Sequence, residues 1–85
     1  MNAPRFSLTA HAHAMLIRRN IHAEWVIRAL TTPDRTEVDR RDAELTHALV
    51  TIVENEARVL RVVYNATVDP PRIVTAYFDR SQRKR

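Results

Sequence analysis

An α+β domain, with a helical hairpin packed on one face of a three- to four-stranded antiparallel sheet, is the fold this sequence predicts. Two helix-periodic segments occupy the first third of the chain and strand-like runs follow them. Helices and strands grouped in blocks, rather than alternating, mark helices segregated to one face of an antiparallel sheet. The strongest signal is RVLRVVYN (58–65) followed by ATVDPP and RIVTAYFDR (72–80). Both runs are rich in β-branched and aromatic residues, which suit a pleated, half-buried surface, and the proline-containing link makes them a hairpin.

The elements follow in the order β-α-α-β-β-β. Residues 1–5 read as a loose end and Phe6–Leu8 as a short edge strand. Thr9 is a helix N-cap, because its hydroxyl can accept from an otherwise orphan backbone amide. Ala10–Arg19 is a helix with Ala12, Met15 and Leu16 toward the core, and the chain turns at Asn20. A second helix runs from His22 to Leu30, with Trp25, Val26, Ala29 and Leu30 at helical spacing. Thr31, Thr32 and Pro33 end it, since the residue before proline is disfavoured in helix. So tight a link makes a helical hairpin.

In the polar stretch 34–46, Arg35–Asp39 is a short strand. His47–Glu54 is nearly continuous in apolarity, which fits a strand buried on both faces, although a helix of that length fits the same pattern. Asn55 is placed in the left-handed position of the turn into the next strand. Alternation then sets the two hairpin faces. Leu60, Val62 and Tyr64 share one, opposite Val59, Arg61, Val63 and Asn65. Val74, Ala76 and Phe78 share one, opposite Ile73, Thr75, Tyr77 and Asp79.

Eighty-five residues make a single domain, 1–85, with 1–5 and 81–85 expected to be flexible. A chain this size buries only about three-fifths of its unfolded surface. No cysteine is present, which excludes disulfides and thiolate metal sites and points to a reducing cytoplasm. No membrane-spanning run or signal-peptide core is visible. Glycine is absent too, so turns needing positive φ fall to Asn or Asp. The charge is uneven: +3 over residues 1–33, −4 over 34–56 and +5 over 57–85, within a net +4. Thirteen of the fourteen basic residues are arginine, the side chain that grips phosphate with a planar fork. A basic final third suits an anionic partner such as nucleic acid, and equally a solvated surface.

LTAHA (8–12), Leu16, Arg19 and Ile21, EWV (24–26), Leu30, Pro33, VLRVVYN (59–65) and PPRIVTAYFDR (70–80) resemble the bacterial family DUF4258. Departures fall in loops. Asn20 and His22 stand where other residues are common, and NEAR (55–58) replaces a turn that usually contains glycine. The resemblance implies kinship with RelE- and ParE-like toxins, whose layout is a strand, a helical hairpin and an antiparallel sheet with an open RNA-binding face. It also implies a small acidic antitoxin as partner.

Four residues are candidates for catalysis. His11 lies in the first turn of the first helix, where the positive terminus favours a neutral ring able to act as a base. Arg61 interrupts an apolar strand, and leaving it buried and unpaired would be costly. Either it pairs with Asp79 across the hairpin or it faces a cleft and holds a phosphate. Tyr77 offers a hydroxyl on the same face, and Arg80 a phosphate clamp at the strand end. Arg19, Arg58, Arg72, Arg83, Lys84 and Arg85 are the candidate RNA contacts, with Arg19 alternatively pairing with Glu24 or a carbonyl. His13 is two residues from His11 and so diverges from it on a helix, which argues against a metal site. His22 and His47 read as surface or rim residues. No cofactor is expected.

These features point first to a toxin-like, metal-independent endoribonuclease that uses the ribose 2′-hydroxyl as nucleophile. His11 or Tyr77 would move protons, and Arg61 and Arg80 would supply preorganised charge, all four in one cleft. The alternative is a non-catalytic nucleic-acid- or protein-binding module of the same fold, and a third reading is an accessory domain with a solubilising basic tail.

Overall fold

The computed structural model describes residues 5–82. Arg83, Lys84 and Arg85, named above as RNA contacts, lie outside the described residues. The elements are β1 (Ser7–Leu8), α1 (Ala10–Arg18), α2 (Ala23–Thr31), β2 (Arg35–Val38), β3 (Leu45–Ile52), β4 (Arg58–Asn65) and β5 (Arg72–Phe78), with 3-10 turns at Val53–Asn55 and Arg80–Gln82.

Thr9 caps α1. Its Oγ1 accepts from the Ala12 amide at 3.0 Å and donates to the Val74 carbonyl at 3.2 Å, so one hydroxyl starts the helix and ties it to β5. Asn20 takes positive φ (53°) in the interhelical turn. Before β4 the expectation fails. Asn55 is absorbed into a 3-10 turn, and the reversal is made by Glu56 (φ 57°) and Ala57 (φ 55°), neither of which has a side chain suited to it.

Among the described residues the sheet has five strands in the order β1-β5-β4-β3-β2 and is mixed, not a three- to four-stranded antiparallel sheet. β1 joins the edge of β5 in parallel, held by Ser7 N–H to the Pro71 carbonyl (2.9 Å) and Thr9 N–H to the Ile73 carbonyl (3.0 Å). The other three pairings are antiparallel. Register places Val63 opposite Thr75 but Tyr64 opposite Ile73, leaving Val74 as an extra residue in β5. Such a bulge reverses side-chain direction beyond it. Ile73, expected opposite the helix-facing residues, is therefore fully buried in the main core.

α1 packs on β5 and β1, and α2 on β3 and β4. Ala12, Ile21, Trp25, Val26 and Ala29 meet Ala48, Val50, Ile52, Leu60, Val62 and Ala76 between the layers. Each large apolar side chain so buried contributes roughly 1.5–3 kcal/mol. The Trp25 ring lies edge-on to Phe78 (6.0 Å between centroids), and the His22 ring stacks on its other side at 4.2 Å.

Candidate functional site

The sheet face turned away from the helices is occupied by its own polar residues. In register across it lie Glu37 with His47, His47 with Val63, Leu49 with Arg61, and Arg61 with Tyr77. Arg61 is only 8% exposed. Its Nε donates to Asp79 Oδ2 at 2.8 Å, and its Nη1 donates to His47 Nδ1 at 2.8 Å and to Glu37 Oε1 at 3.4 Å. Because a guanidinium only donates, His47 Nδ1 accepts and the ring proton sits on Nε2, which donates to Asp39 Oδ1 at 2.7 Å. One buried cation thus links groups from β2, β3 and the end of β5.

The electrostatics follow from that geometry. Burial opposes the charge on Arg61, but its hydrogen bond and ion pair with Asp79 outweigh this and raise its pKa. Asp79 is held below the ordinary carboxylate range by the Ser81 hydroxyl and then by Arg61. The His47 hydrogen bond, with the Arg41 and Asp42 amides, lowers Asp39 likewise. Beyond Asp79 the Arg80–Gln82 turn folds over the same face. Gln82 Oε1 accepts from Arg35 Nη2 at 2.6 Å, joining that turn to the far edge strand β2.

A cleft of about 430 Å3 opens where β5 ends, β4 begins and α1 finishes, lined by Arg19, Arg58, Tyr77, Phe78 and Arg80. Arg19 donates to the Ala76 carbonyl at 2.8 Å and holds its guanidinium 5.9 Å from the Tyr77 ring centroid. Arg58 lies over Phe78 at 4.9 Å. Among the described residues none of these three arginines has a carboxylate partner, whereas Arg28, Arg35 and Arg61 do. The Arg28–Glu54 pair is bidentate, and its hydrogen bonds bring the Glu54 carboxyl down to about 2. A second hollow of about 380 Å3, lined by Glu56, Ala57, Arg58, Val59, Phe78, Asp79 and Arg80, adjoins the first.

A family model described as a domain of unknown function, DUF4258, matches residues 8–78. The chain belongs to DUF4258. No curated protein matches it, and no solved structure does.

In this DUF4258 domain the expected site residues divide. Tyr77 and Arg80 line the cleft together with Arg19 and Arg58. Arg61, offered as a catalytic cation, takes the other of its two alternatives: it is closed into its pair with Asp79 and is not among the lining residues. The reason is the low dielectric of its position, where a cation needs compensating acceptors on all sides. His11 also lies outside the cleft, its Nε2 3.3 Å from the Thr75 hydroxyl, and Thr75 precedes Tyr77 by two strand positions, about 7 Å. The expectation of one cleft for all four residues is therefore not met. Arg72 begins β5, six residues and about 20 Å of strand from Phe78, so it cannot share the cleft. Arg19 bonds the Ala76 carbonyl and not Glu24.

Sequence reasoning missed His47, which is no rim residue but the bridge between Arg61 and Asp39. The signal available was its alternation with Leu49 on one strand, which puts it on the face of Arg61 once the β3–β4 register is known. Ser81 was also passed over, and it donates to Asp79 from both its amide and its hydroxyl. Among the described residues no cluster of three metal-ligating side chains exists, and no helix is long and apolar enough to cross a membrane.

Proposed function

We propose that this DUF4258 chain is an RNA-binding domain that holds the phosphates of a single strand in the cleft formed by Arg19, Arg58, Tyr77 and Arg80. The observation that carries this reading is the convergence of three arginines on one cleft. Arg28, Arg35 and Arg61 are paired with carboxylates, whereas Arg19, Arg58 and Arg80, without such partners among the described residues, converge on one concave surface. Guanidinium groups bind phosphate oxygens in a planar fork, and aromatic faces beside them accept stacked bases, a combination that suits single strands. Arg18 and Arg19 also sit at the C-terminal end of α1, where the helix dipole favours cations.

Fluorescence anisotropy with a labelled RNA of about ten nucleotides tests the proposal. Three phosphate contacts on a single strand give a log–log salt slope of about −2, and Arg58→Ala or Arg80→Ala each reduces its size by about 0.7. No binding at low salt, or salt-insensitive binding, overturns it.

A second reading, toxin-like RNA cleavage with an acidic antitoxin covering the basic cleft, is favoured by the presence of Tyr77 inside the arginine cluster. There its hydroxyl could exchange a proton with a reacting oxygen while the arginines take up charge on the phosphate. Binding has the firmer support, because Arg61 and His11 lie outside the cleft. Cleavage products ending in a 2′,3′-cyclic phosphate, abolished in Tyr77→Phe and on 2′-O-methyl RNA, would decide for the enzyme.

A further inference from the structure

We infer that Asp79 is a positioning residue for the cleft: it anchors the turn that presents Arg80 to phosphate, although its own charge repels the ligand. The inference rests on the phosphate-binding reading above and names what shapes that site.

All the polar atoms of Asp79 are engaged. Its amide donates to the Val59 carbonyl at 2.8 Å, fixing it to β4. Its Oδ2 accepts from Arg61 at 2.8 Å. Its Oδ1 accepts from the Ser81 amide at 2.9 Å and the Ser81 hydroxyl at 2.6 Å, and its carbonyl accepts from the Gln82 amide at 3.2 Å. These bonds clasp Arg80 along the chain, since it lies between Asp79, fixed to β4, and the two residues, Ser81 and Gln82, that Asp79 holds. The Arg80 side chain itself has no hydrogen-bond or ion-pair partner among the described residues and lines both hollows. A long arginine on an unanchored chain end would lose much conformational freedom on binding, and the clasp removes part of that loss beforehand.

The position of Asp79 makes the role unusual. It lines the hollow next to the arginine cleft, so a purely electrostatic view has it weaken anion binding. Arg61, which lines neither hollow, offsets that charge at 2.8 Å. Placement and charge therefore predict opposite signs for the loss of Asp79.

The experiment measures RNA anisotropy, across a salt series, for native protein, Asp79→Ala, Ser81→Ala and Arg80→Ala. Trp25 fluorescence and circular dichroism report whether each is folded. Asp79→Ala is expected to bind about tenfold more weakly, the size of one charge-assisted hydrogen bond, with a salt slope smaller by about 0.7 because one phosphate contact is lost. Ser81→Ala changes no charge, keeps the Arg61–Asp79 pair, and is expected to bind about threefold more weakly. Folded Asp79→Ala that binds as tightly as native, or more tightly, overturns the inference while leaving the phosphate reading intact. If Asp79→Ala does not fold, Ser81→Ala decides, and unchanged affinity there overturns the inference. Native affinity in Arg80→Ala overturns both readings together.

Discussion

Removing the Arg61 guanidinium tests the account of the second sheet face most directly. Judged from strand alternation alone, Arg61→Ala is a mild change, since the strand keeps its apolar neighbours. The structure predicts otherwise. Arg61→Met keeps much of the aliphatic volume but leaves Asp79, with a side chain 12% exposed, without its counter-charge. Breaking a buried pair from one side typically costs about 3–5 kcal/mol. Two adjustments lower that figure. Asp79 keeps both hydrogen bonds from Ser81, and Glu37, 44% exposed, regains water easily. The expected loss is therefore about 2–4 kcal/mol, of which His47, deprived of its donor, supplies part. For a domain of this size total stability is of order 4–13 kcal/mol, so the variant should lower Tm by roughly 10–25 °C. Urea unfolding followed by the single tryptophan, Trp25, measures it, because that ring is buried between His22 and Phe78. In the double variant Arg61→Met/Asp79→Leu the orphaned charge is gone, and much of the loss should be recovered. A loss below about 0.5 kcal/mol for Arg61→Met would refute the buried-network argument, since changes of that size are typical of surface positions.

Three further outcomes follow from the same geometry. Ala57→Gly should stabilise the fold by about 0.5–1 kcal/mol in the same unfolding assay, because glycine relieves a left-handed residue of its Cβ penalty. Thr9→Ala should destabilise by about 1–2 kcal/mol and increase amide exchange in the first turn of α1, since both the Ala12 cap and the Val74 bond are lost. Asp39, Glu37 and Asp79 all have folded-state pKa values below their ordinary 3.8 (Asp) and 4.5 (Glu), so the unfolded chain binds protons first. Stability from these groups is therefore fully present above about pH 5, and thermal melts should show it falling as pH drops through 4.5 and below.

Local rules carried most of the element assignments. The Thr9 cap, the helical stripe of Trp25, Val26 and Ala29, the proline stop and the β-branched runs of β4 and β5 depend on residues within a few positions of one another, and they formed where the sequence put them. The family too was legible, in motifs spread over residues 8–78. The cleft was legible only as a set of arginines. Which of them would be free depended on which strand edges meet, and fourteen bases against ten acids allow many pairings. Tertiary structure alone decided that β1 joins β5 in parallel, that Val74 is squeezed out as a bulge and so turns Ile73 inward, and that Asp79 closes on Arg61 while its turn releases Arg80. The physical reason is that secondary structure is written in local spacing, whereas a buried charge takes whatever acceptors the packed register brings within reach.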